Sequence, residues 1–239
     1  MPTKRIRAIR TGAKHTLQKV TPTNIIDKNL QRKTIMQFVE KHGLVYFGYV
    51  NHLSDEHRII RGLTVSPHQR DNHYAIGTFD GYDVAFVQRT VRDGLSKKSK
   101  TYKWLVFEID LHSQIDLPHI FIGSNAHSGD FYKKLFSTFV YFRQNKLSIF
   151  DQESSKINSK YSLYTAPAYL VSARNIIHEE LAKQIAANFY PLAIEISSGS
   201  IFVYADNQRA TTNLLTKMLK NSVWLAQHID AQIQATKYI

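Results

Sequence analysis

The hydrophobic positions along the chain change period several times, and each change marks an element. Ile35, Phe38 and Val39 fall on one face of a helix over residues 30–41, with His42-Gly43 as its stop. Leu44 to Val50 turns β-branched and aromatic, which predicts a strand. Asn51 to Arg58 is polar turn material, and Ile59 to Val65 is a candidate short strand. His73 to Phe79 and Tyr82 to Val91 read as two strands joined by Asp80-Gly81, a two-residue turn that needs positive φ at both positions. Thr101 to Leu111 places Leu105, Phe107, Ile109 and Leu111 on one face, which the alternation assigns to the core. Pro118 precedes a further strand, His119 to Gly123.

The second half repeats this mixture. Phe131 to Phe142 is crowded with aromatics, and Phe131, Leu135 and Phe139 at i, i+4 and i+8 favour a helix. Asp151 to Lys160 is polar and marks an internal boundary. Strands are expected near Tyr161 to Tyr164, Tyr169 to Ala173, Leu192 to Ser197 and Ile201 to Ala205, the last two joined by a Ser198-Gly199 turn. Helices are expected over Ile176 to Asn188, capped by Asn175, and from Thr211 to about Gln234, where Leu215, Met218, Leu225, Ile229 and Ile233 form an amphipathic stripe. The predicted fold is α+β, with an antiparallel β-rich N-terminal unit packed on a C-terminal unit of two hairpins and two helices. Its expected divisions are a basic arm over 1–29, the β-rich unit with its leading helix over 30–150, and the α+β unit over 151–239.

Composition narrows the function classes. At 239 residues and 43% hydrophobic content the chain can bury a substantial core. It has no cysteine, which excludes disulfide frameworks, thiolate metal sites and cysteine nucleophiles. No window approaches the ~18 apolar residues of a spanning helix, and the N-terminus lacks the apolar core of a secretory signal. The expected location is therefore cytoplasmic, with a peripheral membrane position as its variant.

Charge is the most informative feature. Residues 1–33 hold nine basic residues and one acid, Asp27, and so carry most of the chain's net charge of +12. Lys4, Arg5, Arg7, Arg10 and Lys14 lead this arm. A second cluster comprises Arg89, Arg92, Lys97, Lys98, Lys100 and Lys103. Such segments bind polyanions by counterion release, or an anionic bilayer at about 1 kcal/mol per cation near the headgroups.

The remaining motifs also fit plainer roles. Glu108, Asp110 and His112 alternate along one predicted strand, so they form a candidate metal or acid–base site, or the solvated face of a half-buried strand. Asp116 and His119 follow closely. His178-Glu179-Glu180 lacks the second histidine of a zinc-protease helix, since position 182 is Ala; its acids suit a helix N-terminus. Phe47-Gly48-Tyr49-Val50 overlaps only part of an RNA-recognition strand motif. No catalytic residue and no cofactor is indicated.

Leu117-Pro118-His119-Ile120-Phe121-Ile122, Tyr164-Thr165-Ala166-Pro167-Ala168-Tyr169, His178-Glu179-Glu180-Leu181, Ile194-Glu195-Ile196 and Ile201-Phe202-Val203-Tyr204 follow one another in an order that resembles a group of bacterial proteins of unknown function, often membrane-associated. The resemblance spans about residues 75–235. It implies no catalytic residues. The expected function is a non-catalytic interaction protein whose partner is a protein or an anionic membrane surface. The alternatives are a nucleic-acid-binding protein using the arm and the 89–103 loop, and a metal-assisted enzyme at Glu108, Asp110 and His112.

Overall fold

Asp80 and Gly81 adopt φ of 49° and 83°, so β2 (Gln69–Phe79) turns directly into β3 (Tyr82–Arg92), as their sequence predicts. The computed structural model describes residues 22–49, 60–66, 68–92, 100–113, 117–126, 129–139, 141–145 and 155–237. The remaining strands are β1 (Val45–Gly48), β4 (Thr101–Asp110), β5 (Ile120–Ser124), β6 (Arg143–Asn145), β7 (Tyr161–Thr165), β8 (Ala193–Ser197) and β9 (Ser200–Asp206). All nine belong to one antiparallel sheet in the order β1-β2-β3-β4-β9-β8-β5-β7-β6. The β8–β9 hairpin, turned by Ser198 and Gly199 at φ 52° and 74°, inserts between β4 and β5. The helices are α1 (Pro22–Lys41), α2 (Gly129–Thr138), α3 (Ser155–Lys160), α4 (Leu170–Ile176), α5 (Glu179–Asn188) and α6 (Thr212–Lys237). The fold is α+β.

The central strands β4, β9, β8 and β5 are buried on both faces. On the first, Leu105, Phe107 and Ile109 of β4 pack with Phe38 of α1, Leu181 of α5 and Leu215, Met218 and Ile229 of α6. On the second, Tyr102, Trp104 and Val106 pack with Tyr132 and Phe136 of α2 and with Ile60. Glu108 shares that second face and is 3% exposed. The expected solvated face of this strand is thus replaced by a second aromatic layer. Apolar residues at both parities of β4 are the mark of a strand covered on both sides.

Several boundaries differ from the sequence reading, each for a local reason. Residues 60–66 form turns, not a strand, because their backbone bonds go to side chains of the sheet. The expected strand at 169–173 is instead a short turn, Pro167–Tyr169, leading into α4; proline at its start fixes φ, and Tyr169 N–H donates to Ala166 O at 2.9 Å. The expected helix from 176 breaks at Ile177-His178. His178 is extended, and its Nδ1 accepts from Leu181 N–H at 3.4 Å, so His178 rather than Asn175 opens α5. Glu179 and Glu180 then lie in the first turn, where the helix dipole favours acids. In α2 the buried pair is Tyr132 and Phe136, while Phe139 is exposed beyond the helix end.

Candidate functional site

Cations remote in sequence converge on one end of the sheet. Directly opposed residues of antiparallel strands share a face. Arg70 opposes Thr90 and Thr90 opposes Lys103, so Arg70 and Lys103 stand on the same face two strands apart, roughly 10 Å. Arg92 lies two residues beyond Thr90 on that face, opposite Thr101. Lys100 precedes β4 and places its ammonium 6.0 Å from the Tyr102 ring centroid. Arg70, Arg92, Lys100 and Lys103 are all exposed.

α1 begins at this same end. Asn207 N–H donates to Lys103 O at 2.8 Å, and Arg209 two residues on pairs with Asp27 of α1 at 3.2 Å. The chain therefore enters α1 beside the start of β4, directly after its basic N-terminal segment. Lys4, Arg5, Arg7, Arg10, Lys14, Lys97 and Lys98 lie outside the described residues. Asp80, Asp83 and Asp110 stand at the opposite end, about 30 Å away along a ten-residue strand. Four exposed cations thus mark one end of β2–β4 and three aspartates the other.

Arg89 does not belong to that surface, and this corrects its expected role as an anion-binding cation. Its side chain is fully buried. Nε and Nη2 donate to Asp71 at 2.8 and 2.7 Å in a bidentate pair. Nη1 donates to Arg61 O at 3.1 Å and Thr64 Oγ1 at 3.0 Å, and Nη2 donates also to Ile60 O. All five guanidinium N–H groups are engaged, and they fasten residues 60–64 to the sheet.

The structure separates His112 from Glu108 and Asp110. Glu108 is buried; Asp110 Oδ1 accepts from Ser200 Oγ at 2.9 Å. His112 lies past the strand end, stacked on Tyr82 with ring centroids 4.1 Å apart, and its Nε2 donates to Gly81 O at 3.1 Å. Glu108 and Asp110 border a groove of 410 Å³ with Val45, Tyr74, Ile76 and Ala85. Among the described residues no group of three or more His, Asp or Glu is placed to hold a metal. Phe47 and Tyr49 are exposed at the β1 edge, Phe47 beside Tyr74 at 5.8 Å.

Two buried polar systems escaped the sequence reading. Glu195, 1% exposed, accepts from Tyr204 Oη at 2.6 Å, Leu63 N at 2.8 Å and His119 Nε2 at 2.7 Å. Burial first, then the Glu195 charge, push the Tyr204 phenol far above its ordinary range. Beside it Trp104 Nε1 donates to Tyr132 Oη, which donates to Asp206 Oδ1, both at 3.1 Å. Burial likewise raises Tyr132 well above the usual phenol range, and Asp206 adds to the effect. The available signal was an acid in each of two otherwise apolar strands, Glu195 in β8 and Asp206 in β9. Through Leu63 and Tyr132 the two networks tie residues 60–66 and α2 to the second face of the sheet.

No protein-family model and no curated protein matches this chain. Among solved structures, the crystal structure of the mycobacterial trehalose monomycolate transport factor A, TtfA, is similar over 85% of this chain and 94% of that one, with a TM-score of 0.49 and 9% identity. At that distance the likeness assigns neither activity nor partner here. No helix among the described residues is long and apolar enough to cross a membrane.

Proposed function

We propose that this chain is a non-catalytic binding protein whose basic end seats on an anionic membrane surface. The observation that carries the reading is that Arg70, Arg92, Lys100 and Lys103 are exposed at one end of the sheet, the end at which α1 begins. Charges spread along a sequence act independently; charges gathered on one end act on one plane and add. At about 1 kcal/mol per cation near the headgroups, three or four folded-body cations together with the arm supply micromolar-scale attachment.

A single-stranded nucleic acid is the competing polyanion. Its binding draws on exposed aromatic faces that stack bases. The aromatics nearest this end, Tyr102 and Trp104, are buried and packed against Phe131 at 4.7 and 4.9 Å. An exposed valine, Val65, sits at the rim instead. Both features favour a bilayer.

The test is cosedimentation of the full chain with vesicles of phosphatidylcholine alone or with phosphatidylserine, at low and physiological salt, with and without a polynucleotide competitor. Binding that requires phosphatidylserine and survives the competitor supports the reading. Binding stripped by the competitor transfers the end to nucleic acid. Absence of binding under all conditions overturns both.

A further inference from the structure

We infer that the segment 60–66 is a preformed anchor that sets Val65 into the headgroup region when the basic end meets an anionic bilayer. This rests on the membrane reading above and adds to it a specific contact and an orientation. Val65 is 46% exposed, and Arg61, His68 and Arg70 around it are exposed too. An exposed apolar side chain with arginines on either side in the chain is the composition of an interfacial contact.

The loop's backbone is what makes it suitable. Arg89 holds the carbonyls of Ile60 and Arg61, Glu195 takes Leu63 N–H, Val65 N–H donates to Gly62 O at 3.1 Å, and Ser66 N–H donates to Gln69 Oε1 at 2.9 Å. Backbone groups that enter a low-dielectric layer must already be satisfied. Here those of Ile60, Arg61, Leu63, Val65 and Ser66 named above are held by two buried charged residues of the sheet and by the loop itself. Val65 is therefore held in its exposed position by the bonds on either side of it. Arg89 and Glu195 act as positioning residues for this contact.

The chain has no cysteine, so one introduced cysteine is a unique label site. Val65→Cys and, at the opposite end of β3, Asp83→Cys are labelled in the full-length protein with an environment-sensitive fluorophore and mixed with phosphatidylserine-containing vesicles. The expected result is a blue shift and quenching by lipid-borne nitroxides at position 65, with neither at position 83. Unlabelled Val65→Asp, checked for an unchanged circular dichroism spectrum, is expected to lower vesicle partition by roughly fivefold, the effect of keeping a half-exposed valine in water. Vesicle binding with a wet probe at 65, or an unchanged partition for Val65→Asp, overturns the anchor and leaves the surface reading standing. Failure of the unsubstituted chain to bind vesicles overturns the surface reading, and the anchor with it.

Discussion

Gly62 lies directly over Tyr204, so closely that a Cβ at position 62 would overlap the Tyr204 hydroxyl and stand 3.1 Å from Glu195 Oε2. Its φ of 91° lies where side chains are strained. Contact and dihedral together explain why the loop crosses the sheet at a glycine. Gly62→Ala is expected to destabilise by about 3 kcal/mol, combining backbone strain with overpacking against a buried hydroxyl. A urea titration checks this through a lower midpoint at unchanged slope. A midpoint equal to that of the unsubstituted chain would mean that the loop lifts from Tyr204 at no cost.

The Arg89–Asp71 pair makes a second, sharper expectation. Removing one partner of a buried pair strands the other, so Arg89→Met should cost about 3–5 kcal/mol. Replacing both, as Arg89→Met with Asp71→Leu, should recover part of that loss by removing the orphaned carboxylate. Recovery should remain incomplete, because the carbonyls of Ile60 and Arg61 also lose their donors. A double-mutant cycle measures the difference, and strict additivity would contradict the geometry.

These two residues also show where the sequence was legible and where it was not. The Asp80-Gly81 and Ser198-Gly199 turns, the β4 face bearing Leu105, Phe107 and Ile109, and the long C-terminal helix are all local patterns, and they stand as read. The second buried face was legible in principle, because Tyr102, Trp104 and Val106 interrupt the polar alternation of β4. Arg89 was illegible. Its neighbours in sequence mark it as one cation among several, and only the pairing of Asp71 opposite Arg89 across β2 and β3 reveals a carboxylate within reach. The same holds for Glu195, whose partners His119 and Leu63 are far away in the chain. Interleaving of β9 between β4 and β8 is likewise a long-range outcome that no local period encodes.

Alkaline pH probes a third site. Tyr82 Oη donates to Asp230 Oδ2 at 3.0 Å, and burial, the hydrogen bond and the Asp230 charge push its pKa from 10.0 up to about 12. The fold holds the neutral phenol, so this contribution is complete below about pH 10 and is lost as pH rises from there through 12. Tyr82→Phe should cost about 1 kcal/mol at pH 8, since Asp230 keeps the N–H donors of His112 and Ser113. The gap should then narrow between pH 10 and 12, because phenylalanine has no proton to lose. Unfolding free energies of both proteins across that range decide it; a gap that widens would reverse the assignment.

The basic end predicts a dependence on number and place of charge. Lys100 and Lys103 carry exposed ammonium groups on the strand end, and neither holds the core together. Lys100→Gln and Lys103→Gln should each weaken attachment to phosphatidylserine vesicles by roughly fivefold, with thermal stability shifted by less than about 0.5 kcal/mol. The losses should shrink as salt rises, because the charges lie within about one Debye length of the lipid plane only at low ionic strength. Lys220→Gln, on an exposed position of α6, is the matched control. It borders a groove with Phe79 and Asp80 at the β2–β3 turn, so Lys220 belongs to the end remote from Lys103. Equal losses at Lys103 and Lys220 would point to net charge alone as the attractive force. A loss confined to Lys100 and Lys103 requires an oriented encounter, with the strands of the sheet standing on the membrane by one end.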